Sequence, residues 1–341
     1  MDVVKLGKTG IIVPKNGFGA LPIQRINKEE AVYLLQKAYN HGLRFFDTAR
    51  AYSDSEEKIG LALKEVRSEI IIASKTMAKD VKTFWEHLNT SLEMLQTDYI
   101  DIFQFHTPAF CPKPGDGTGL YEAMLEAKEK GIIKHIGMTN HRLSVAREAI
   151  ESGLYETIQF PFSYLSIDCD LELVDLAKKY EVGFIAMKGL SGGLINKADV
   201  AYAYLSEFCH VLPIWGVQSE RELDDFLECH NHPVRLTKER LEIIENDRKE
   251  LAGNFCRGCG YCMPCPVGIQ INNCARMSLM IRRAPSSGWL SAVWQENMGK
   301  IKDCIHCNLC SKQCPYGLNT PQLLEDNLVD YQNILAGEIS V

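Results

Sequence analysis

From Gly17 to about Cys229 the chain alternates short, continuous apolar runs with longer segments whose apolar positions recur at helical spacing. GFGA at 17–20 precedes a helix expected over Glu29–His41, and LRFFDT precedes one near Glu56–Leu63. Ile70–Lys75 leads to Val81–Leu95, and YIDIFQFH at 99–106 leads to Leu120–Lys130. HIGMTN at 135–140 is followed by Ser144–Ser152, and TIQF at 157–160 by Leu171–Tyr180. GFIAMK at 183–188 precedes Val200–Cys209, and VLPIWG at 211–216 precedes Glu220–Cys229. Runs that are apolar throughout belong to parallel strands buried on both faces. Eight strand-then-helix units are the number that closes a (β/α)8 TIM barrel in roughly 250 residues. A doubly wound open sheet competes, but it usually opens with G-x-G-x-x-G, and GFGALP departs from that. An α/β barrel is expected.

The pattern breaks at NHPVRLT (231–237), ahead of a charged helix expected over Lys238–Ala252. A barrel over 1–232 and a second domain over 233–341 are therefore expected. The second part is rich in cysteine, proline and glycine. CRGCGYCMPCP (256–266) and CIHCNLCSKQCP (304–315) form a weak repeat, each ending CP-x-G, and a helix-like INNCARMSLMIRR and SSGWLSAVWQENM lie between them.

The 46% hydrophobic and 24% charged residues suit a packed globule. The start, MDVVKLGKTG, lacks a basic region followed by an apolar run, so no signal peptide is expected. No apolar stretch approaches the roughly 18 residues of a membrane span. No membrane association is expected, and the location is expected to be cytoplasmic. The net charge is -7 with no Lys/Arg-rich block, which argues against a nucleic-acid partner. From Leu236 onward eleven Lys/Arg balance eleven Asp/Glu, so the acidity lies in the first part.

Five of the thirteen cysteines (Cys111, Cys169, Cys209, Cys229, Cys274) are scattered and suit small buried hydrophobes. The other eight form the two runs, where a reducing compartment favours metal over disulfides. C-x2-C-x2-C turns three thiolates inward on one cubic cluster, and a fourth cysteine before proline serves the other run's cluster. Two [4Fe–4S] clusters are expected. One is held by Cys256, Cys259, Cys262 and Cys314, the other by Cys304, Cys307, Cys310 and Cys265. The first run has x2 before its last cysteine where x3 is usual. Structural zinc prefers two separated C-x2-C pairs and fits less well. The long spacer resembles the α-helical ferredoxin modules of respiratory and heterodisulfide-type reductases.

Four polar residues fall at or after the ends of successive strands: Asp47, Tyr52, Lys75 and His106. Barrel enzymes place their sites there. A tyrosine ordinarily titrates near 10, and a neighbouring lysine ammonium lowers that value. Asp47 would pair the lysine, and His106 would orient a carbonyl oxygen. Together they form an acid that protonates a carbonyl as hydride arrives at carbon. Taken singly, each residue has a plainer role as helix cap, packing group or solvated charge.

FDTARAY…SEEKIG, IIASK, DIFQFH, IKHIGMTN and IQFPFSYL together resemble the aldo-keto reductase family, over about Leu6 to Glu228. AMK in the seventh strand and CGYCMPCP behind the barrel resemble its iron–sulfur branch. The resemblance implies Tyr52 as general acid, tuned by Lys75 and Asp47, with His106 at the carbonyl. It implies NADP(H) or NAD(H) as cofactor, an aldehyde or ketone as substrate, and Thr139, Asn140 and Gln159 at the nicotinamide carboxamide. Where the family stacks a tyrosine on nicotinamide, AMKGLSGG puts Met187, with Lys188 and Leu190 in the same cofactor-facing segment. In GVQSERELDDF, Gln218 and Ser219 occupy the adenosine 2′-phosphate stretch, with Gln218 where an arginine is common. An amide lacks the bidentate grip of a guanidinium, unless Arg221 substitutes.

Nicotinamide moves two electrons together and each cluster moves one, and no flavin motif is evident to convert between them. The clusters are expected to serve a redox partner or the substrate site. The alternative is an electron-transfer protein whose barrel is a docking or ligand-binding scaffold.

Overall fold

The computed structural model describes residues 2–251, 255–283 and 286–340. A hairpin, β1 (Val3–Lys5) and β2 (Ile12–Pro14), comes first. Then come β3 (Gly17–Gly19), β4 (Phe45–Asp47), β5 (Ile71–Thr76), β6 (Ile100–His106), β7 (Ile133–Thr139), β8 (Thr157–Pro161), β9 (Gly183–Met187) and β10 (Val211–Gly216). These eight parallel strands close a barrel in the order β10-β3-β4-β5-β6-β7-β8-β9, completed by β9–β10 pairing. The TIM barrel expected from the apolar runs is the fold observed.

The hairpin was not anticipated, because each of its strands has only three residues. Its inward residues Val4, Leu6, Ile11 and Val13 join Phe45, Ala73, Ile102, Ile185, Leu212 and Ile214 in one apolar cluster. It thus fills barrel interior that three-residue β3 and β4 leave open.

The helices fall within a few residues of their expected bounds, and local capping explains where two of them begin. Asn27 Oδ1 accepts the Glu30 N–H at 2.8 Å to start Lys28–Asn40, and Asp80 Oδ1 accepts that of Thr83 at 2.8 Å to start Val81–Leu95. Such caps contribute about 1 kcal/mol each. In the ladder, His106 pairs with Thr139 and Thr139 with Gln159. This register brings three candidate site residues to one level at the C-terminal ends of β6, β7 and β8.

Glu156, just before β8, knits three elements by accepting from His135, Lys128 and the Ile136 N–H. Burial alone would raise its pKa, but these donors overcome it and hold the carboxyl at about 2, against an ordinary 4.5. Glu156→Gln is expected to cost about 1–2 kcal/mol at neutral pH. The native value lies below the unfolded one, so this stabilisation is full above about 4.5 and fades as pH falls toward 2. Urea midpoints measured from pH 2 to 7 should show a flatter acid limb in the variant.

The chain packs as two compact units. One runs up to Gly189 and resumes from Ala198 to Lys238; the other takes the chain from Glu239 onward together with Leu190–Lys197. The division near 232 anticipated from composition did not foresee that the β9 loop packs with the cysteine-rich unit. Two arginines explain it. Arg276 Nη1 donates to Gly192 O at 3.0 Å, and Arg283 Nη1 to Leu194 O at 2.9 Å. Arg283 Nη2 also pairs with Asp247 and Glu250, at 2.9 and 2.7 Å.

The charged helix covers Lys238–Glu250, and Ala252, where it was expected to end, lies outside the described residues. INNCARMSLMIRR is not one helix: Ile271–Cys274 and Met277–Arg283 are separated by a break at Ala275–Arg276. The long helix Thr320–Leu335, which was not drawn from the sequence, buries Leu324, Asn327, Tyr331 and Ile334. Ile271, Met277, Ile281, Met298 and Ile301 pack with Leu324, Tyr331 and Ile334. Of the scattered cysteines, Cys111, Cys229 and Cys274 are buried as expected, whereas Cys169 is half-buried and Cys209 exposed.

Candidate active site

β4 ends on Asp47 and β5 carries Lys75, and both side chains point into the barrel. Lys75 Nζ donates to Asp47 Oδ1 and Oδ2, each at 2.7 Å, and to Thr48 O at 2.6 Å. Exposures of 0% and 2% make this a fully desolvated ion pair. Burial draws Lys75 down and Asp47 up, and each partner's charge opposes the shift of the other. Breaking such a pair leaves a charge with neither water nor partner.

Tyr52 lies beyond β4, half-buried, its ring edge-on to His106 with centroids 5.6 Å apart. Lys75 Nζ is 5.2 Å from the tyrosine ring centroid. The lysine was expected to lower the phenol's pKa. Instead burial, and then the Asp47 charge, push it well above 10. The ammonium makes its three hydrogen bonds to Asp47 and Thr48. His106 is driven down to about 3, by burial first and the Lys75 charge second. It is therefore a neutral imidazole, and its buried Nδ1 has no hydrogen-bond partner among the described residues.

A buried relay extends from the ion pair. Gln104 Nε2 donates to Gln159 Oε1 at 2.9 Å, and Gln159 Nε2 donates to Asp47 Oδ1 at 3.2 Å. Gln159 Nε2 and Thr139 Oγ1 also lie 3.9 and 3.8 Å from Met187 Sδ. Thr139, Gln159 and Met187 thus converge on one spot. Asn140 ties its own loop to the one after β6: Nδ2 donates to Pro108 O, and Oδ1 accepts from the His141 and Arg142 N–H groups. Lys188 follows β9 in a left-handed conformation (φ 58°). With His106 and Arg142 it adds to the burial that holds His141 neutral. Leu190 belongs to the other unit.

Ser219 caps the helix Glu220–Asn231 by accepting the Glu222 N–H, and Glu222 in turn accepts from the Gln218 N–H. Gln218 Oε1 accepts from Arg25 at 3.4 Å, while Arg221 is exposed. Gln104, Glu56 and Arg25 are neighbours that sequence reasoning passed over. Glu56 is buried and takes a hydrogen bond from Ser74 and an ion pair from Arg50. Gln104, a lone amide inside the apolar run DIFQFH, was the one with a readable signal.

In the second unit, Cys256, Cys259, Cys262 and Cys314 line a cavity of about 350 Å³, open in part to solvent. Cys265, Cys304, Cys307 and Cys310 line another of about 410 Å³, with Cys262 at its edge. Among the described residues no three His, Cys, Asp or Glu are grouped as a single ion would require; the thiols instead surround space. Burial, then neighbouring thiols, push Cys262 up to about 12, so a thiolate there needs a cationic partner. A polynuclear iron cluster fits that donor set and spacing better than one zinc.

The protein thus pairs a strand-end site in a closed parallel barrel with a thiol-lined helical module. The Aldo/keto reductase family pattern matches residues 15–207, more than half of the chain, so the chain belongs to that family. The pattern of a 4Fe-4S dicluster domain matches residues 255–319. Over 160 residues the chain is 35% identical to the methylglyoxal reductase DkgA of Escherichia coli K12, covering 46% of this chain and 56% of that one. It is 28% identical over 219 residues to L-galactose dehydrogenase of Arabidopsis thaliana, covering 58% and 68%. The chain spans about half the length of the first curated relatives it matches. Among solved structures, an aldo-keto reductase of Bacillus halodurans in holo form has a TM-score of 0.63 at 22% identity, covering 72% of this chain and 96% of that one. One from Klebsiella pneumoniae in complex with NADP and acetate has a TM-score of 0.61 at 21%, covering 72% and 94%. These likenesses are of fold. No helix among the described residues is long and apolar enough to cross a membrane.

Proposed function

We propose that this protein reduces a small aldehyde or ketone with nicotinamide hydride, and that its second unit carries two [4Fe–4S] clusters exchanging single electrons with a redox partner. The observation that carries the reading is the set of groups meeting at the strand ends. Tyr52 stands edge-on to His106, and Lys75 lies 5.2 Å from the tyrosine ring. In this reading Tyr52 donates its proton to the carbonyl oxygen. Its raised pKa keeps the phenol protonated and ready at neutral pH. His106, a neutral imidazole with an unpartnered nitrogen, holds the carbonyl oxygen. Lys75, anchored by Asp47, supplies the nearest positive charge as that oxygen becomes negative.

Thr139, Gln159 and Met187 would hold the nicotinamide ring, which when bound supplies the hydride. Asn140 would hold the loop around it, with Lys188 at the rim. Gln218 and Ser219, with Arg25 and Arg221 nearby, would meet the adenosine end. The carboxylates Glu220 and Glu222 crowd that helix start, so NADH and NADPH both belong in the assay. Cys256, Cys259, Cys262 and Cys314 would hold one cluster, and Cys304, Cys307, Cys310 and Cys265 the other, each accepting and releasing one electron. DkgA's printed name, methylglyoxal reductase, makes 2-oxoaldehydes the first substrates to try.

The test is anaerobic. Wild type is expected to contain about eight iron and eight sulfide per chain, two clusters of four, and to oxidise NADPH or NADH with methylglyoxal. Cys314→Ser should lose roughly half the iron although it lies in the second run, because it serves the first run's cluster. Colourless wild type would remove the clusters from the reading. Inertness to both nucleotides across a carbonyl panel would remove the reductase.

A further inference from the structure

Arg276 stands at the break between the helices Ile271–Cys274 and Met277–Arg283, and its guanidinium fills a slot between two stretches of bare backbone. On one side Nη1 donates to Gly192 O at 3.0 Å, and a Cβ added to Gly192 would come within 2.8 Å of Nη1. On the other side is Gly258 of the first cysteine run, where an added Cβ would lie 2.8 Å from Cζ. Both glycines have left-handed φ, +69° and +62°, which other residues adopt only under strain. Glycine at both walls is what lets the guanidinium sit between them.

The charge in this slot is poorly compensated. Arg282 pairs with Asp330, and Arg283 with Asp247 and Glu250. Arg276 Nε is buried with no partner among the described residues. Burial destabilises its charge, and the group that acts back to favour it is Cys256. Gly258, the wall of the slot on that side, donates its N–H to Cys256 Sγ at 3.4 Å.

We propose that Arg276 sets the reduction potential of the cluster held by Cys256, Cys259, Cys262 and Cys314, and couples that cluster's charge to the loop Leu190–Lys197. The inference rests on the reading that those cysteines hold a cluster. An unneutralised cation in a half-buried site stabilises the state with one more electron, so it raises the potential. Arg276 lines neither cavity, but the cysteine run it meets, through Gly258 and Cys256, is the first, so the shift is expected in that cluster's potential. An added electron pulls the guanidinium toward the cysteine run, at the expense of its bond to Gly192 O. By linkage, the hold on the loop and the potential change together.

The test compares Arg276→Gln, Arg276→Lys and Arg283→Gln with wild type, all as full-length chains loaded with iron. Dithionite is the one-electron donor, and EPR-monitored redox titration is the readout. In Arg276→Gln one of two potentials should fall so that its reduced-to-oxidised ratio drops at least tenfold at the wild-type midpoint, about 59 mV for a one-electron couple. Arg276→Lys keeps the charge and should keep the potential. Arg283→Gln releases Leu194 O and should leave both potentials unchanged. In wild type, amides 190–197 should exchange hydrogen faster when reduced than when oxidised, and Arg276→Gln should abolish the difference. Unchanged potentials in iron-loaded Arg276→Gln, or an equal fall in Arg276→Lys, overturn the inference. Iron loss in both Arg276 variants also overturns it, because the residue would then serve assembly. If only Arg276→Gln loses iron, a shifted potential in Arg276→Lys overturns the inference and an unshifted one upholds it. A wild type without iron fails the cluster reading itself, which iron analysis separates from all these outcomes.

Discussion

Tyr52→Phe is expected to lower kcat/KM for carbonyl reduction by roughly 10²- to 10⁴-fold, the usual contribution of a positioned proton donor. The substitution removes one oxygen and keeps the ring, so the edge-on contact with His106 at 5.6 Å survives. Nucleotide affinity, followed by fluorescence quenching, should change little, because the residues proposed to hold the nicotinamide ring lie on β7, β8 and β9. The phenol's value stands well above 10 because of burial and then Asp47. His106 titrates near 3. Neither group changes protonation between pH 5 and 9, so wild-type kcat/KM should be flat there. A Tyr52→Phe enzyme with wild-type turnover would show that another group delivers the proton.

Lys75→Met is expected to destabilise the barrel by about 3–5 kcal/mol, because it strands a buried carboxylate. Lys75 is 0% exposed and supplies Asp47 with two hydrogen bonds of 2.7 Å. Without it, only the Gln159 amide at 3.2 Å remains on Asp47 among its side-chain partners. Burial already raises the Asp47 pKa above 3.8, and the lysine restrains that rise. In the variant the folded value therefore climbs further above the unfolded one. The folded chain then binds more protons, and stability falls as pH rises through the window that opens near 3.8. Urea unfolding should show the deficit largest at neutral pH and shrinking toward pH 4. The double variant Asp47→Leu/Lys75→Met should recover much of the stability and none of the activity. A single variant as stable as wild type at pH 7 would mean that water reaches the pair.

The resemblance and the cassettes were legible because they depend on short spacings. Val81–Leu95 and Val211–Gly216 were read with their observed bounds, since apolar period and local caps decide them. The hairpin β1–β2 escaped notice because it is stable only against the barrel interior it fills. Thr320–Leu335 has the spacing of a buried helix face, with Leu324, Asn327, Tyr331 and Ile334 recurring along it. The expected helix across INNCARMSLMIRR failed at Arg276, where tertiary contacts to Gly192 and Gly258 override local propensity. Leu190 was grouped with the cofactor contacts by its neighbours in the chain, yet its loop packs with the other unit.

What the amino-acid order by itself determined is the kind of protein: eight strand–helix units, eight cysteines in two closely spaced runs, and the residues Asp47, Tyr52, Lys75 and His106 at or after strand ends. These follow from periodicity and spacing along the chain, which need no knowledge of what meets what. Only the tertiary structure decided the electrostatics. Burial, and then the Asp47 charge, raise the phenol's pKa where the lysine was expected to lower it. Charge and burial act through space, and the strength of each interaction depends on distances and solvent access that no linear pattern contains.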